Sequence, residues 1–137
     1  MTRTTPPKLS RSHEQAIFIA QAAKDKKAQD VLVLEVGDLT SLADFFIFAS
    51  GESERQVRGL ASFIEKMMAT RYHTNPVIEG KETANWILLD YGDIIVHIFR
   101  PDIRQYYALE KMWADAPQVP IPESEHQLSP PRQLASG

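Results

Sequence analysis

Two strand-sized apolar runs around a tight turn dominate the hydrophobic pattern of the chain. They cover residues 86–99 and read WILLDYGDIIVHIF. The pattern predicts a β-hairpin with a two-residue Tyr91-Gly92 turn, in which Gly92 takes a positive φ. This turn would pair Trp86 with His97 across the two strands.

The two faces of this hairpin differ, because successive residues of a strand point to opposite sides. The aliphatic face carries Ile87, Leu89, Ile94 and Val96. The mixed face carries Trp86, Leu88, Ile95 and His97, with Asp90 and Asp93 at the tip. A mixture of polar and apolar groups is typical of a surface that contacts a partner, so the mixed face is the first candidate functional site.

Three further segments carry apolar residues at helical spacing. Ser12 and Ser53 each begin a capping-box pattern, which predicts a helix N-terminus at each serine. Pro101 begins a third helix, because proline is favoured in the first helical turn. The apolar side of this helix includes Tyr106 and Trp113, which we expect in the core, although large aromatic rings can also anchor a partner.

Strand signals fill the intervals between the helices. The β-rich runs at residues 31–36 and 45–49 each end at a glycine-containing turn, and a short extended segment lies around residues 77–79. With the hairpin, the order is helix, strand, strand, helix, three strands and a helix. This order predicts a single-domain α/β fold, with a mixed sheet that includes an antiparallel hairpin and is covered by helices.

Both ends of the chain differ from its centre in composition. Residues 1–11 contain two prolines and no acidic residue, and we expect a disordered tail there. Five of the nine prolines fall between Pro117 and Pro131 among polar residues, which predicts a flexible tail over residues 117–137. The folded domain is therefore expected over residues 12–116.

Composition and charge exclude several kinds of function. The 137 residues include no cysteine, which excludes disulfides, thiolate zinc sites and cysteine nucleophiles. The apolar runs are far shorter than the roughly 18 residues of a membrane-spanning helix, so we expect a soluble protein with no membrane partner. We expect it in the cytoplasm, and an organelle address stays open because the N-terminal segment carries basic residues and no acid. The formal net charge is −3 and the basic residues are scattered. Direct nucleic-acid binding is therefore disfavoured, and a basic protein is the better partner.

The acidic pair at the hairpin tip has three interpretations that stay open. Asp90 and Asp93 could fix the turn by local hydrogen bonds or form an acidic recognition tip. They could also serve a metal-dependent nucleotidyl-transferring enzyme, since paired carboxylates can hold a metal or act as acid and base. Residues 51–53 mimic the Gly-Ser helix entry of such enzymes, but no Asp-x-Asp pattern follows.

The histidines and aromatic residues give weaker signals. The four histidines are scattered, so we predict no metal site. We also predict no catalytic residue, since no serine stands in a nucleophile-elbow pattern, and no cofactor, since Glu52 would repel an anion at the start of the second helix. His97 is either a satisfied sheet residue or a contact residue, and its pairing with Trp86 favours contact. Trp86 itself is expected to be exposed on the mixed face.

Four motifs in order closely resemble the ribosomal silencing factor, or iojap, family. They are LADFFI from Leu42, GESERQV from Gly51, the hairpin over residues 86–99, and RQYYALEKMW from Arg104. The resemblance extends from about residue 13 to residue 117, which is nearly the whole predicted domain.

The resemblance implies a nucleotidyltransferase-like fold that lacks catalytic carboxylates, and therefore a binding protein that is not an enzyme. It implies docking on ribosomal protein number fourteen of the large subunit, at the face that meets the small subunit. Such docking blocks subunit joining and lowers translation when nutrients are short, and members of the family are also linked to large-subunit assembly. The docking residues carried over by motif are Trp86, Leu88, Asp90, Asp93, His97, Tyr106 and Tyr107. We expect a monomer or a weak homodimer, and a scaffold that self-associates through the mixed face stays open.

Overall fold

A computed structural model describes the main chain of residues 7–107 and 109–123, with the side chains of residues 11–104 and 111–123. The described elements are α1 (Pro7–Asp25), β1 (Gln29–Glu35), β2 (Phe45–Ser50), α2 (Glu54–Tyr72), β3 (Val77–Glu79), β4 (Trp86–Asp90), β5 (Ile94–Phe99), α3 (Pro101–Tyr107) and α4 (Leu109–Met112). This is the predicted order of helices and strands, with the last helical segment in two parts.

The strands form one mixed sheet in the order β1-β2-β5-β4-β3. Strands β2 and β5 are parallel, whereas the other neighbouring pairs are antiparallel. The predicted mixed sheet with an antiparallel hairpin is therefore confirmed, and the hairpin strand β5 lies in its centre.

The register of the hairpin differs from the prediction by two residues. Trp86 pairs with Phe99, and His97 pairs with Leu88 instead of Trp86. A slip of one residue would exchange the two faces of a strand, but a slip of two leaves every side chain on its predicted face. The predicted faces are thus correct even though the predicted partners are wrong.

The turn between the strands explains the slip. The Tyr91 N–H donates to the Ile94 carbonyl at 2.8 Å, so the two turn residues are Gly92 and Asp93, one position later than predicted. Gly92 has a φ of 91°. A type II′ turn places glycine at the first of its two central positions, which is where Gly92 lies.

The aliphatic face of the sheet packs against α1 and α2. All four residues that define this face on the hairpin are fully buried. Helix α2 begins as predicted, with the Ser53 Oγ accepting the Gln56 N–H at 3.1 Å. The residues of α2 that are buried against the sheet recur at helical spacing: Val57, Leu60, Ala61, Ile64 and Met68.

The opposite face of the sheet carries an aromatic cluster. Phe46, Phe48 and Phe99 are buried there, and Trp86 and Trp113 are partly buried against them. The Trp113 ring meets the Phe46 ring edge-on, with 4.9 Å between the ring centroids. Trp113 thus packs against the core, as expected, but is itself only partly buried.

Helix α1 begins at Pro7, so residues 7–11 are helical and the predicted boundary at Ser12 is wrong. Ser12 is buried inside the helix and does not cap it. Its Oγ donates instead to the Asp93 Oδ2 at 3.2 Å, a partner at the hairpin turn that the local pattern does not reveal. The rest of the predicted N-terminal tail lies outside the described residues.

Residues 117–122 form a C-terminal strap that lies along the edge of β1. The Glu35 N–H donates to the Pro117 carbonyl at 2.9 Å, and the Val119 N–H donates to the Val33 carbonyl at 2.8 Å. Val119 is also buried in the core. The prediction that this segment carries no packed structure is therefore wrong for the strap, because main-chain pairing and one buried valine hold it. The remainder of the predicted tail lies outside the described residues.

Candidate functional site

The structure brings three of the predicted site residues together on the mixed face. Trp86 and Leu88 lie on β4, and Leu88 pairs with His97 on β5. All three side chains are half-buried. Trp86 is thus less exposed than predicted, because its ring also packs beside Phe99, with 5.7 Å between the ring centroids.

Trp86 and His97 are joined by a hydrogen bond between their side chains. The Trp86 Nε1–H donates to the His97 Nδ1 at 3.3 Å. Since Nδ1 accepts, the proton of the neutral imidazole is assigned to Nε2. The bond fixes the orientation of the indole, and with it the part of the ring that stays accessible.

His97 lies below the surface of this site. The rings of Phe46 and Phe48 each approach it edge-on, with centroids 5.0 Å away. Burial lowers the pKa of His97 from 6.5 to about 4, so the imidazole is neutral at pH 7. Its Nε2 is buried and has no hydrogen-bond partner among the described residues. His97 therefore holds the Trp86 indole in place through this hydrogen bond and is itself largely buried.

The two aspartates of the tip are both exposed but have different partners. The Asp90 Oδ1 accepts the Gly92 N–H at 2.8 Å, which is the local bond that stabilises a turn. The Asp93 carboxylate accepts from Ser12 of α1, and the Asp93 carbonyl accepts the N–H groups of Asp44 and Phe45. Asp93 thereby ties the turn to α1 and to the start of β2.

Two further findings bear on the chemistry of this region. Among the described residues, no group of three or more His, Cys, Asp and Glu side chains is arranged to hold a metal ion. Within residues 7–107 and 109–123, no helix combines the length and apolar composition that crossing a membrane requires.

Helix α3 carries Tyr106 and Tyr107, whose side chains lie outside the described residues. The helix itself is anchored by Arg104, a buried residue that the sequence analysis did not select. Its Nη1 donates to the Ser50 Oγ at 2.7 Å, and its guanidinium lies over the Phe48 ring. The one available signal was weak: Ser50 ends an otherwise apolar strand, and a polar residue there needs a partner.

The structure adds an apolar loop to the site, which the sequence analysis also missed. Leu39 and Leu42 lie in the connection between β1 and β2, with exposed fractions of 49% and 66%. The Asp44 N–H donates to the Asp93 carbonyl at 2.8 Å, so this loop adjoins the hairpin turn. Leu42 opens one of the motifs described above, but its exposure could not be read from the motif.

Carboxylates surround this loop and the turn. We call this part of the molecule the acidic end, which comprises Glu35, Asp38, Asp44, Asp90 and Asp93. Exposed leucines beside carboxylates suit a partner that offers apolar and cationic groups together. This arrangement is suited to binding a basic protein surface.

Comparison with known sequences gives consistent matches over most of the chain. Residues 9–136 match a family described as ribosomal silencing factor during starvation. A ribosomal silencing factor RsfS from Halalkalibacterium halodurans is 40% identical over 111 residues, which are 80% of this chain and 95% of the relative. The mouse protein named mitochondrial assembly of ribosomal large subunit protein 1 is 30% identical over 99 residues, which are 70% of this chain and 43% of the mouse protein.

Comparison with solved structures agrees. A crystal structure of a Chromobacterium violaceum protein has a TM-score of 0.71 and 35% sequence identity. The match covers 74% of this chain and 85% of that protein. The overall fold is thus shared with an experimentally determined relative.

Proposed function

The chain belongs to the ribosomal silencing factor family, and on this basis we propose that it represses translation by docking on the large ribosomal subunit. The observation that carries the proposal is the family match together with the half-buried mixed face beside an exposed acidic end. The name of the mouse relative refers to assembly of a ribosomal large subunit, which supports the choice of subunit.

The partner we propose within that subunit is ribosomal protein number fourteen, at the face that meets the small subunit. Ribosomal proteins are usually basic, and carboxylates can form charge-assisted hydrogen bonds with arginine and lysine. Asp90 and Asp93 would make such contacts, and Trp86, Leu88, Tyr106 and Tyr107 would supply apolar contact area. His97 would contribute by holding the Trp86 indole.

The mechanism we propose is steric and requires no catalysis. A protein bound where the small subunit must sit prevents the subunits from joining, and translation falls when nutrients are short. The same contact could act during large-subunit assembly. We place this activity in the cytoplasm, with the protein acting as a monomer or a weak homodimer.

We also propose that the scaffold is a nucleotidyltransferase-like fold used without nucleotidyl transfer. The mixed sheet and the Gly51-Glu52-Ser53 entry to α2 support the likeness, and the sequence contains no Asp-x-Asp pair. A thermal-shift titration with magnesium and nucleotides tests the absence of nucleotide binding, because a ligand that binds the native state raises the unfolding midpoint.

Cosedimentation with separated large and small subunits tests the docking proposal. We expect capture by the large subunit alone, and Trp86→Ala should weaken it by about 2 kcal/mol or more, as for an interfacial tryptophan hot spot. Lys66→Ala is a matched control, since Lys66 is exposed on α2, which covers the aliphatic face. Capture by neither subunit, or undiminished capture of a folded Trp86→Ala variant, would overturn the proposal.

Asp90→Asn separates charge from turn geometry, because the amide oxygen can still accept the Gly92 N–H. We expect the variant to bind more weakly than the wild type by roughly 0.5–1 kcal/mol at low salt. Added salt should then reduce the affinity of the variant less than that of the wild type. Pull-down of purified ribosomal protein fourteen by the same variants identifies the partner. An unchanged salt dependence would argue against an acidic contact at Asp90.

A further inference from the structure

The loop over residues 80–85 leads directly into Trp86. Its end is anchored, because Ala84 is buried in the core and the Asn85 carbonyl accepts the Arg100 N–H at 3.4 Å. Lys81, Glu82 and Thr83 are exposed. The Ala84 N–H donates to the Gly80 carbonyl at 3.1 Å. Both residues of that bond have left-handed backbones, with φ values of 55° and 87°. Backbone in such sparsely populated conformations persists where surrounding contacts support it.

Arg58 of α2, which covers the aliphatic face, contacts the exposed part of the loop. Its Nε donates to the Lys81 carbonyl at 3.1 Å, and its Nη2 donates to the Glu82 carbonyl at 2.7 Å. The planar guanidinium fork thus binds two consecutive carbonyls at once, a geometry that lysine cannot reproduce. Glu54, one helical turn earlier, places its Oε1 3.8 Å from the Nη1.

The loop conformation is transmitted to Trp86 through Gly80. A Cβ atom at Gly80 would lie 2.0 Å from the Trp86 carbonyl oxygen, so the loop backbone is in close contact with the start of β4. A change in the path of the loop at Gly80 would therefore bear directly on the first residue of the strand. Trp86 is therefore held at its indole by His97 and at its backbone by a loop that Arg58 fixes.

We propose that Arg58 is a positioning residue for docking: by clamping the loop over residues 80–85, it sets the entry of β4 and the placement of the Trp86 indole. This inference rests on the proposed docking role of Trp86. Arg58 thereby links α2, which covers the aliphatic face, to the placement of Trp86 on the mixed face. Arg58 itself need not touch the partner.

The test compares Arg58→Ala, Arg58→Lys and the charge-matched control Lys66→Ala. The first readout is the indole N–H resonance of Trp86 in NMR spectra of the free protein, distinguished from that of Trp113 by a Trp113→Phe variant. The second readout is affinity for purified large subunits by cosedimentation. Thermal unfolding midpoints establish that each variant is folded.

We expect Arg58→Ala to shift or broaden the Trp86 indole resonance and to weaken large-subunit binding by about five-fold, the size expected for two charge-assisted bonds at a partly exposed site. Arg58→Lys should restore the resonance only in part, and Lys66→Ala should change neither readout. An unchanged Trp86 resonance in folded Arg58→Ala would overturn the inference, even if binding fell. If the wild type bound no subunit, the proposed docking function would be wrong. The Trp86 resonance would still show whether Arg58 positions Trp86.

Discussion

The two faces of the sheet are covered in different ways. Two helices of 19 residues each lie on the aliphatic face, where the hairpin side chains are fully buried. On the opposite face, Ile103 of α3 and Trp113 pack against the aromatic cluster. Phe99 is buried there, whereas Trp86, Leu88 and His97 stay half-buried. One face is thus completed by the chain's own helices, whereas the other keeps partly accessible rings beside the acidic end.

This difference separates stability from recognition. Burial of aliphatic side chains stabilises the fold and leaves no surface on that face for a partner. On the mixed face, a partner that covered Trp86 and Leu88 would gain apolar burial that folding alone does not provide. Substitutions on the two faces should therefore have different consequences, even on neighbouring positions of one hairpin.

The largest contrast is expected between Ile98 and Leu88, which lie on opposite faces of the hairpin. Ile98→Ala removes a fully buried side chain and should lower the free energy of unfolding by about 2–5 kcal/mol, measured by urea denaturation. Leu88→Ala should cost less stability, because Leu88 is half-buried, and should weaken large-subunit binding more. Equal losses of stability at both positions would remove the distinction between the faces.

A pH dependence of stability should come from the mixed face. Because burial lowers the pKa of His97 from 6.5 to about 4, the unfolded chain binds a proton that the folded chain does not bind between these values. The contribution of His97 to the free energy of unfolding is complete above pH 6.5. It is lost as the pH falls toward 4, and the total loss is about 3 kcal/mol. His97→Gln should flatten this part of the profile, and an unchanged slope in the variant would show that His97 is not its source.

A smaller effect is expected at Arg104, which anchors the short cover of the mixed face. Arg104→Lys keeps the charge but loses the planar group over Phe48 and changes the bond to Ser50. We expect a loss of about 1–2 kcal/mol in the free energy of unfolding, with wider exposure of the aromatic cluster to fluorescent apolar dyes. Unaltered stability and dye binding would mean that α3 is held by other contacts.

The sequence predicted the faces of the sheet better than it predicted the pairing of strands. Apolar alternation has a period of two, so it assigns each hairpin residue to a face whatever its partner is. The register depends on which residues form the turn, and both Tyr91-Gly92 and Gly92-Asp93 place the same glycine in a turn. The hydrogen bond from Tyr91 to Ile94 decides between them, and it is a property of the folded backbone.

The two capping patterns show the same limit. Ser53 caps α2 as predicted, because its partner Gln56 is three residues away. Ser12 instead bonds Asp93, a partner that only the tertiary fold brings near. Arg58 and Arg104 were missed for this reason as well, since their acceptors lie on distant segments of the chain. Local rules predict local bonds, and much of the candidate site is built from distant ones.

The C-terminal strap also determines when this domain can be finished during synthesis. β1 lies near the start of the described chain, and the residues that occupy its outer hydrogen bonds lie near the other end. Contacts between such distant segments form late and slow folding, because a long loop must close first. A growing chain can assemble the helices and most of the sheet, but the outer edge of β1 stays open until Val119 has been made. Until then, the unpaired edge of β1 is open to pairing with another strand.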